Sequence, residues 1–224
     1  MLDRLFGGNL IFRLIAGVLV LVTALPVHEF AHAWMAERMG DMTARSQRRL
    51  SLNPLDHIDP IGALMILFLG FGFARPVPIN SMNFRDRRKG IVLTSLAGPV
   101  SNILMATLML ILRKMVRMVW IVLGWRWLGG LDTILAMTVS INLSLAVFNL
   151  LPLPPLDGWH AVSQVLPPSV YWKVAAYEQQ IMWVVLLLAM IGFLSGPISW
   201  FSNLLYSLIN RLTFFMDLLI AIVR

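Results

Sequence analysis

Four stretches of this 224-residue chain are apolar for twenty or more residues, at Leu10–Met39, 91–112, 131–151 and from 181 onward. A bilayer core about 30 Å thick requires roughly 20 apolar residues per helical crossing. Lipid also leaves no water to satisfy open backbone groups, so such segments must be helices. The last stretch is broken by Ser195-Gly196-Pro197, a turn signal that divides it into 181–194 and 198–223. The run 61–73 is about 13 residues long and glycine-rich, which predicts a short or re-entrant helix rather than a full crossing. The expected fold is an all-α polytopic membrane protein with five or six transmembrane helices. It forms one membrane-embedded domain over 1–224, with a core at about 10–160 and C-terminal helices at about 177–224.

Charge supports that class. Only 13% of residues are charged and 58% are hydrophobic, against about 25% charged in soluble domains. The net charge of +7 falls between apolar runs with no soluble domain to form a groove, so it indicates orientation in a membrane and not nucleic-acid binding. Residues 40–90 carry eight Lys and Arg against four in 113–130, a bias that places the first loop in the cytoplasm and beside anionic lipid head groups. Within it, 42–52 shows no helical stripe, and the prolines of 74–80 disfavour helix. Both read as strand or extended loop. Residues 1–9 carry Asp3 and Arg4 and are not expected to form a cleaved leader.

The first apolar stretch contains His28-Glu29-Phe30-Ala31-His32. Residues four apart on a helix stand about 6 Å apart on nearly one face, so His28 and His32 can hold one metal ion from the same side. Glu29 is rotated about 100° away, outside the ligand set yet near enough to serve as general base toward a metal-bound water. Three ionisable groups within five membrane residues are too costly to serve packing alone. The chain has no cysteine, which restricts a zinc site to histidine and carboxylate.

A catalytic zinc site requires a third protein ligand. His57, His160, Asp56, Asp59, Asp132 and Asp157 are the candidates. The span 131–151 runs in the same direction as the first, so its C-terminal end lies on the side of His28 and His32. It leads into Asn149-Leu150-Leu151-Pro152-Leu153-Pro154-Pro155-Leu156-Asp157-Gly158, where prolines end the helix and glycine permits a tight turn that can carry Asp157 back toward the metal.

H-E-x-x-H early in the chain, followed by N-x-x-P-x-P-P-L-D-G at the end of a later span, resembles the site-2 protease family of intramembrane zinc metalloproteases, in its compact subgroup without PDZ or nucleotide-sensing domain. The likeness extends through 52–60, 74–80 and 95–102 and fades over the last sixty or so residues. It implies one Zn2+ per chain held by His28, His32 and Asp157, with Glu29 as catalytic base and Asn149 as a polar residue near the substrate or reaction intermediate. It further implies a zinc metalloendopeptidase acting on transmembrane protein or peptide substrates. The expected setting is a multi-pass protein of a prokaryotic cytoplasmic membrane with its active site toward the cytoplasm; a homo-oligomer stays open.

His160, three residues after Asp157, is a secondary ligand candidate but is as readily a surface residue. His57 is read as a loop histidine bonded to its neighbours before a ligand or gate. Gly98 and Asn102 favour close helix packing, and Pro26 either kinks its helix beside His28 or is merely tolerated. Trp120, Trp125 and Trp127 mark a membrane interface. The competing function is a zinc-binding membrane protein without protease activity, a transporter or a scaffold. Transport would call for more ionisable residues along the later spans, and a scaffold would be indifferent to Glu29. A di-iron oxidase of the histidine-box type would need more than four histidines.

Overall fold

The computed structural model describes residues 10–69 and 73–223. The reading of residues 1–9, and positions 70–72 of the 61–73 run, lie outside these. Among the described residues the chain is helical and contains no β-strand. Helices α1 (Leu10–Val22) and α2 (Ala24–Met39) run on as one apolar stretch. They part at Thr23, three residues before Pro26, because proline lacks the N–H that Val22 would receive and its ring crowds that carbonyl. The Thr23 hydroxyl donates to the Leu19 carbonyl at 2.6 Å across the break. Gly40, at φ 115°, ends α2: its N–H donates to Glu37 O while that of Asp41 donates to Ala36 O, a left-handed cap that glycine adopts without strain.

A series of short elements follows: α3 (Thr43–Ser46), α4 (Pro54–His57), α5 (Pro60–Leu69) and a 3-10 turn at Ser81–Asn83. The expectation of strand or extended chain over 42–52 is therefore corrected at α3. The Asp41 carboxylate accepts the Thr43 N–H and hydroxyl, which nucleates a helical turn that a search for periodicity misses. Helix α5 has ten residues, about 15 Å, too short to cross. It packs so closely on α1 that a Cβ at Gly17 would stand 2.9 Å from Leu67 Cδ2.

Helix α6 (Arg87–Leu123) starts at Asp86, whose side chain accepts the Lys89 N–H, and stops at Gly124 with φ 67°. It runs well past Leu112, where the sequence suggested a loop. Arg113, in that supposed loop, meets Asp132 at 3.1 Å. Lys114, 6% exposed, meets Asp217 at 2.7 Å and the Thr213 carbonyl at 3.2 Å. These partners permit charges to sit where unpaired ones would break the span. The short connection 124–127 returns the chain as α7 (Leu128–Asn149), so α6 and α7 are antiparallel.

Among the described residues three helices are long and apolar enough to cross a membrane: the joined α1 and α2, α6 and α7. A fourth arises if α10 (Glu178–Met190) and α11 (Ser195–Leu212), bent by 80° at their junction, count as one. Between α7 and this pair lie α8 (Asp157–Ser163) and α9 (Pro168–Ala175), and α12 (Phe214–Val223) follows. Two of the core clusters join the long helices. Ala16, Val20, Leu21, Ala24 and Leu25 pack with Ile66, Ile141 and Leu145, while Ala106, Met109 and Leu110 pack with Leu135, Val139, Leu143 and Ile209.

Asp41 fixes the loop region beside the ends of these helices. Its carboxylate, 1% exposed, also accepts the Asn80 N–H at 2.7 Å and the Asn83 side-chain amide at 2.8 Å. Burial alone would raise this carboxyl group, but the bonds from Thr43, Asn80 and Asn83 outweigh it and hold it below its ordinary value. Its contribution to stability is present above the unfolded carboxyl value of about 3.9 and is lost as pH falls through the folded value. Asp41→Asn should lower the thermal midpoint of the detergent-solubilised protein at pH 7, with the gap from the parent narrowing below about pH 5; a gap constant with pH would refute this role for the charge.

Candidate metal centre

His28 and His32 occupy adjacent turns of α2, both 6% exposed, with their Nε2 atoms 3.0 Å apart. Asp157 Oδ2 lies 3.4 Å from the first and 3.3 Å from the second. These three form the one group among the described residues with donors close enough to hold a metal ion. His32 Nδ1 is 2.7 Å from the Thr94 carbonyl of α6. A carbonyl only accepts, so Nδ1 carries the proton and the Nε2 lone pair faces the triangle. Asp157 Oδ2, set against the two Nε2 atoms, has no hydrogen-bond partner despite burial. Acceptors meeting without a donor in an apolar interior describe a cation site. Bonds of about 2.0–2.2 Å in a tetrahedron give ligand-to-ligand edges of about 3.3–3.6 Å; the two edges to Asp157, 3.4 and 3.3 Å, match this, and the edge between the histidines, 3.0 Å, is a few tenths of an ångström shorter. The residues thus fit the zinc expected from the sequence.

Each member is placed by a different local rule. The helical repeat sets the two histidines. Asp157 arrives from the end of α7, where the chain folds over itself: Leu151 N–H bonds Phe148 O, Leu156 N–H bonds Leu153 O, and Asp157 opens α8. A Cβ at Gly158 would collide with the Leu150 carbonyl, so only glycine lets this loop close. From the third side, α6 presents Gly98. A Cβ there would collide with His32 Nε2 and come within 2.6 Å of His28 Cε1. Gly98 had been read as a packing residue; what it packs against is the pair of histidine rings.

Glu29, 6% exposed, stands beside this group, and its Oε2 accepts the backbone N–H of Val77 at 3.1 Å. A cavity of about 1320 Å³ opens against it, lined by His28, Glu29, His32, Asp157, Asn149 and Asn102 among others. Asn149 thus shares the cavity wall with the group and is not one of its three members. Asn102 is 2% exposed with its Oδ1 unpartnered. His160 lies on the cavity wall but outside the three-residue group. His57 is fully buried away from the cavity, with Nε2 2.8 Å from the Ser51 carbonyl, in keeping with a loop histidine bonded to its neighbours. The contacts from Thr94 and Val77 escaped the sequence reading because they are backbone groups. One signal existed: Pro76 and Pro78 have no N–H, which leaves Val77 the sole donor among the three residues.

Peptidase family M50 matches over residues 111–193, a segment containing Asn149 and Asp157. The chain is 42% identical over 161 residues to the candidate zinc metalloprotease YwhC of Bacillus subtilis, covering 72% of this chain and 74% of YwhC. It is 33% identical over 201 residues to the candidate zinc metalloprotease Rip2 of Mycolicibacterium smegmatis, covering 85% and 73%. Identity to Rip2 of Mycobacterium tuberculosis is 31% over 207 residues, covering 87% and 75%. No solved structure matches.

If the rings require Gly98 to lack a side chain, Gly98→Ala should reduce bound metal well below one ion per chain by elemental analysis of the purified protein. Gly196→Ala, whose Cβ meets nothing within 4 Å, should retain the parent's content. Equal metal in both variants would show that the rings tolerate the methyl group.

Proposed function

This chain belongs to peptidase family M50, the site-2 protease family, and from that premise we propose that it is an intramembrane zinc metalloprotease hydrolysing peptide bonds in or near transmembrane segments of membrane-protein substrates. The observation that carries the reading is the convergence of His28 Nε2, His32 Nε2 and Asp157 Oδ2 beside Glu29, within helices apolar enough to cross a membrane. In this reading the three residues hold zinc, which when bound supplies Lewis acidity toward a carbonyl and makes water acidic enough to react near neutral pH. Glu29 takes a proton from water and passes it to the leaving amine. Asn149, on the cavity wall, offers an amide to the substrate backbone.

A helical substrate must unwind before its carbonyls can be attacked, and its freed backbone groups then need partners. Residues 74–80 supply them in this reading. The segment has no regular structure, and Ile79 is 40% exposed on the cavity wall, so an unwound strand could pair alongside it. Five membrane segments follow if each arm of the bent pair enters the bilayer, and six if α5 dips into it as well. In this reading the basic residues of 40–90 orient the metal centre toward the cytoplasm, in a prokaryotic cytoplasmic membrane.

Glu29→Gln separates this reading from that of a zinc-binding transporter or scaffold. The variant should keep about one zinc per chain while cleavage of a membrane-spanning reporter falls by about 10²- to 10⁴-fold, the usual contribution of a general base. Cleavage that survives with zinc in place would discard Glu29 as the base.

A further inference from the structure

Glu29 is held by a peptide group that is itself gripped from behind. The N–H of Val77 donates to Glu29 Oε2 at 3.1 Å, and the carbonyl of that same peptide unit, Pro76 O, accepts from Arg49 Nη2 at 3.1 Å. In a trans peptide the C=O and N–H point in opposite directions, so guanidinium, peptide plane and carboxylate form one chain of hydrogen bonds. Each bond in such a chain polarises the next, and an ionised donor at its head strengthens the whole. Arg49 Nη2 also bonds Arg75 O at 3.0 Å, which fixes the tilt of the plane. The rest of the strap is tied at both ends, by Arg75 N–H to His57 O at 2.8 Å and by Asn80 N–H to Asp41. Val77 itself is packed against Ala33 and Ala44.

The backbone around Arg49 is built to make this contact. Arg49 N–H bonds Ala44 O, and Arg48 N–H bonds Arg45 O. That is a left-handed helix end in which the residue with positive φ is usually glycine. Here it is Arg48, at φ 57°, a conformation that a side-chain-bearing residue adopts only at a cost. The bend turns Arg49 back over the strap.

We infer that Arg49 is a positioning residue for the reaction, acting through the Pro76–Val77 peptide to hold one oxygen of Glu29 and leave the other toward water. The inference rests on the proposed role of Glu29, and its test is arranged so that the two can fail separately. Arg49→Met keeps the apolar stem and removes the donors; Arg49→Lys restores one charged donor. With the full chain in detergent and a fluorophore–quencher peptide carrying one apolar segment of about twenty residues, Arg49→Met should keep its zinc. Its kcat should fall about tenfold or more, as expected for a misplaced catalytic group, with KM within about twofold. Arg49→Lys should recover part of kcat.

Hydrogen exchange of the Val77 amide provides a reading independent of cleavage. It should quicken in Arg49→Met and equally in Glu29→Ala. A zinc-replete Arg49→Met with the parent's kcat, or a loss confined to KM, would overturn the inference. Absence of any Glu29-dependent cleavage in the parent would instead overturn the protease reading. Exchange at Val77 would then decide the positioning contact alone, unchanged rates in both variants counting against it.

Discussion

Two imidazole nitrogens and a carboxylate oxygen are held within 3.4 Å of one another inside apolar surroundings. Without a cation between them, such an arrangement is repulsive and dehydrated, and helices free to move would separate the atoms. Much of the architecture can be understood as preventing that. Helix α2 fixes the histidines to one rigid rod, α7 returns parallel to it so that its end arrives beside them, and the proline-rich turn directs Asp157 inward. Helix α6 closes the third side with a residue that has no side chain. Each helix is apolar enough to belong in lipid and contributes polar atoms only where this cluster or a paired charge requires them.

Polar contacts do comparable work in the loop region between α2 and α6. The Asp41 carboxylate gathers donors from Thr43, Asn80 and Asn83, and Arg49 gathers the carbonyls of Arg75 and Pro76. Residues 75–80 need no ladder of strand hydrogen bonds because Asp41 and Arg49, on either side of α3, and Glu29 of α2 hold them at several points. Irregular backbone beside a membrane site is tolerable only when its groups are satisfied in this way. The arrangement also leaves Ile79 facing the cavity.

How much of this could be read from the sequence depended on range. His28 and His32 were legible because helical spacing relates them, and Asp157 because span direction placed it on their side. The continuation of α6 past Leu112 was not, since Lys114 finds its partner Asp217 about a hundred residues away and local charge argued for a loop. The turn at Thr43–Ser46 was hidden because one aspartate, and no periodic stripe, nucleates it. Backbone donors and acceptors leave almost no trace in side-chain identity, so the contacts of Val77 with Glu29 and of Thr94 with His32 required three dimensions.

The two histidines, equivalent in sequence pattern, are unequal in their support. His32 is anchored through Nδ1 to the Thr94 carbonyl, whereas the Nδ1 of His28 is buried with no bond and its ring is confined by close packing that includes the bare backbone at Gly98. A tethered ring resists rotation and tilt together; a merely confined one resists collision but can tilt within its slot. The centre thus has one stiff and one compliant donor. Any adjustment of the donor set to a bound ion would fall on His28, while His32 keeps the register between α2 and α6.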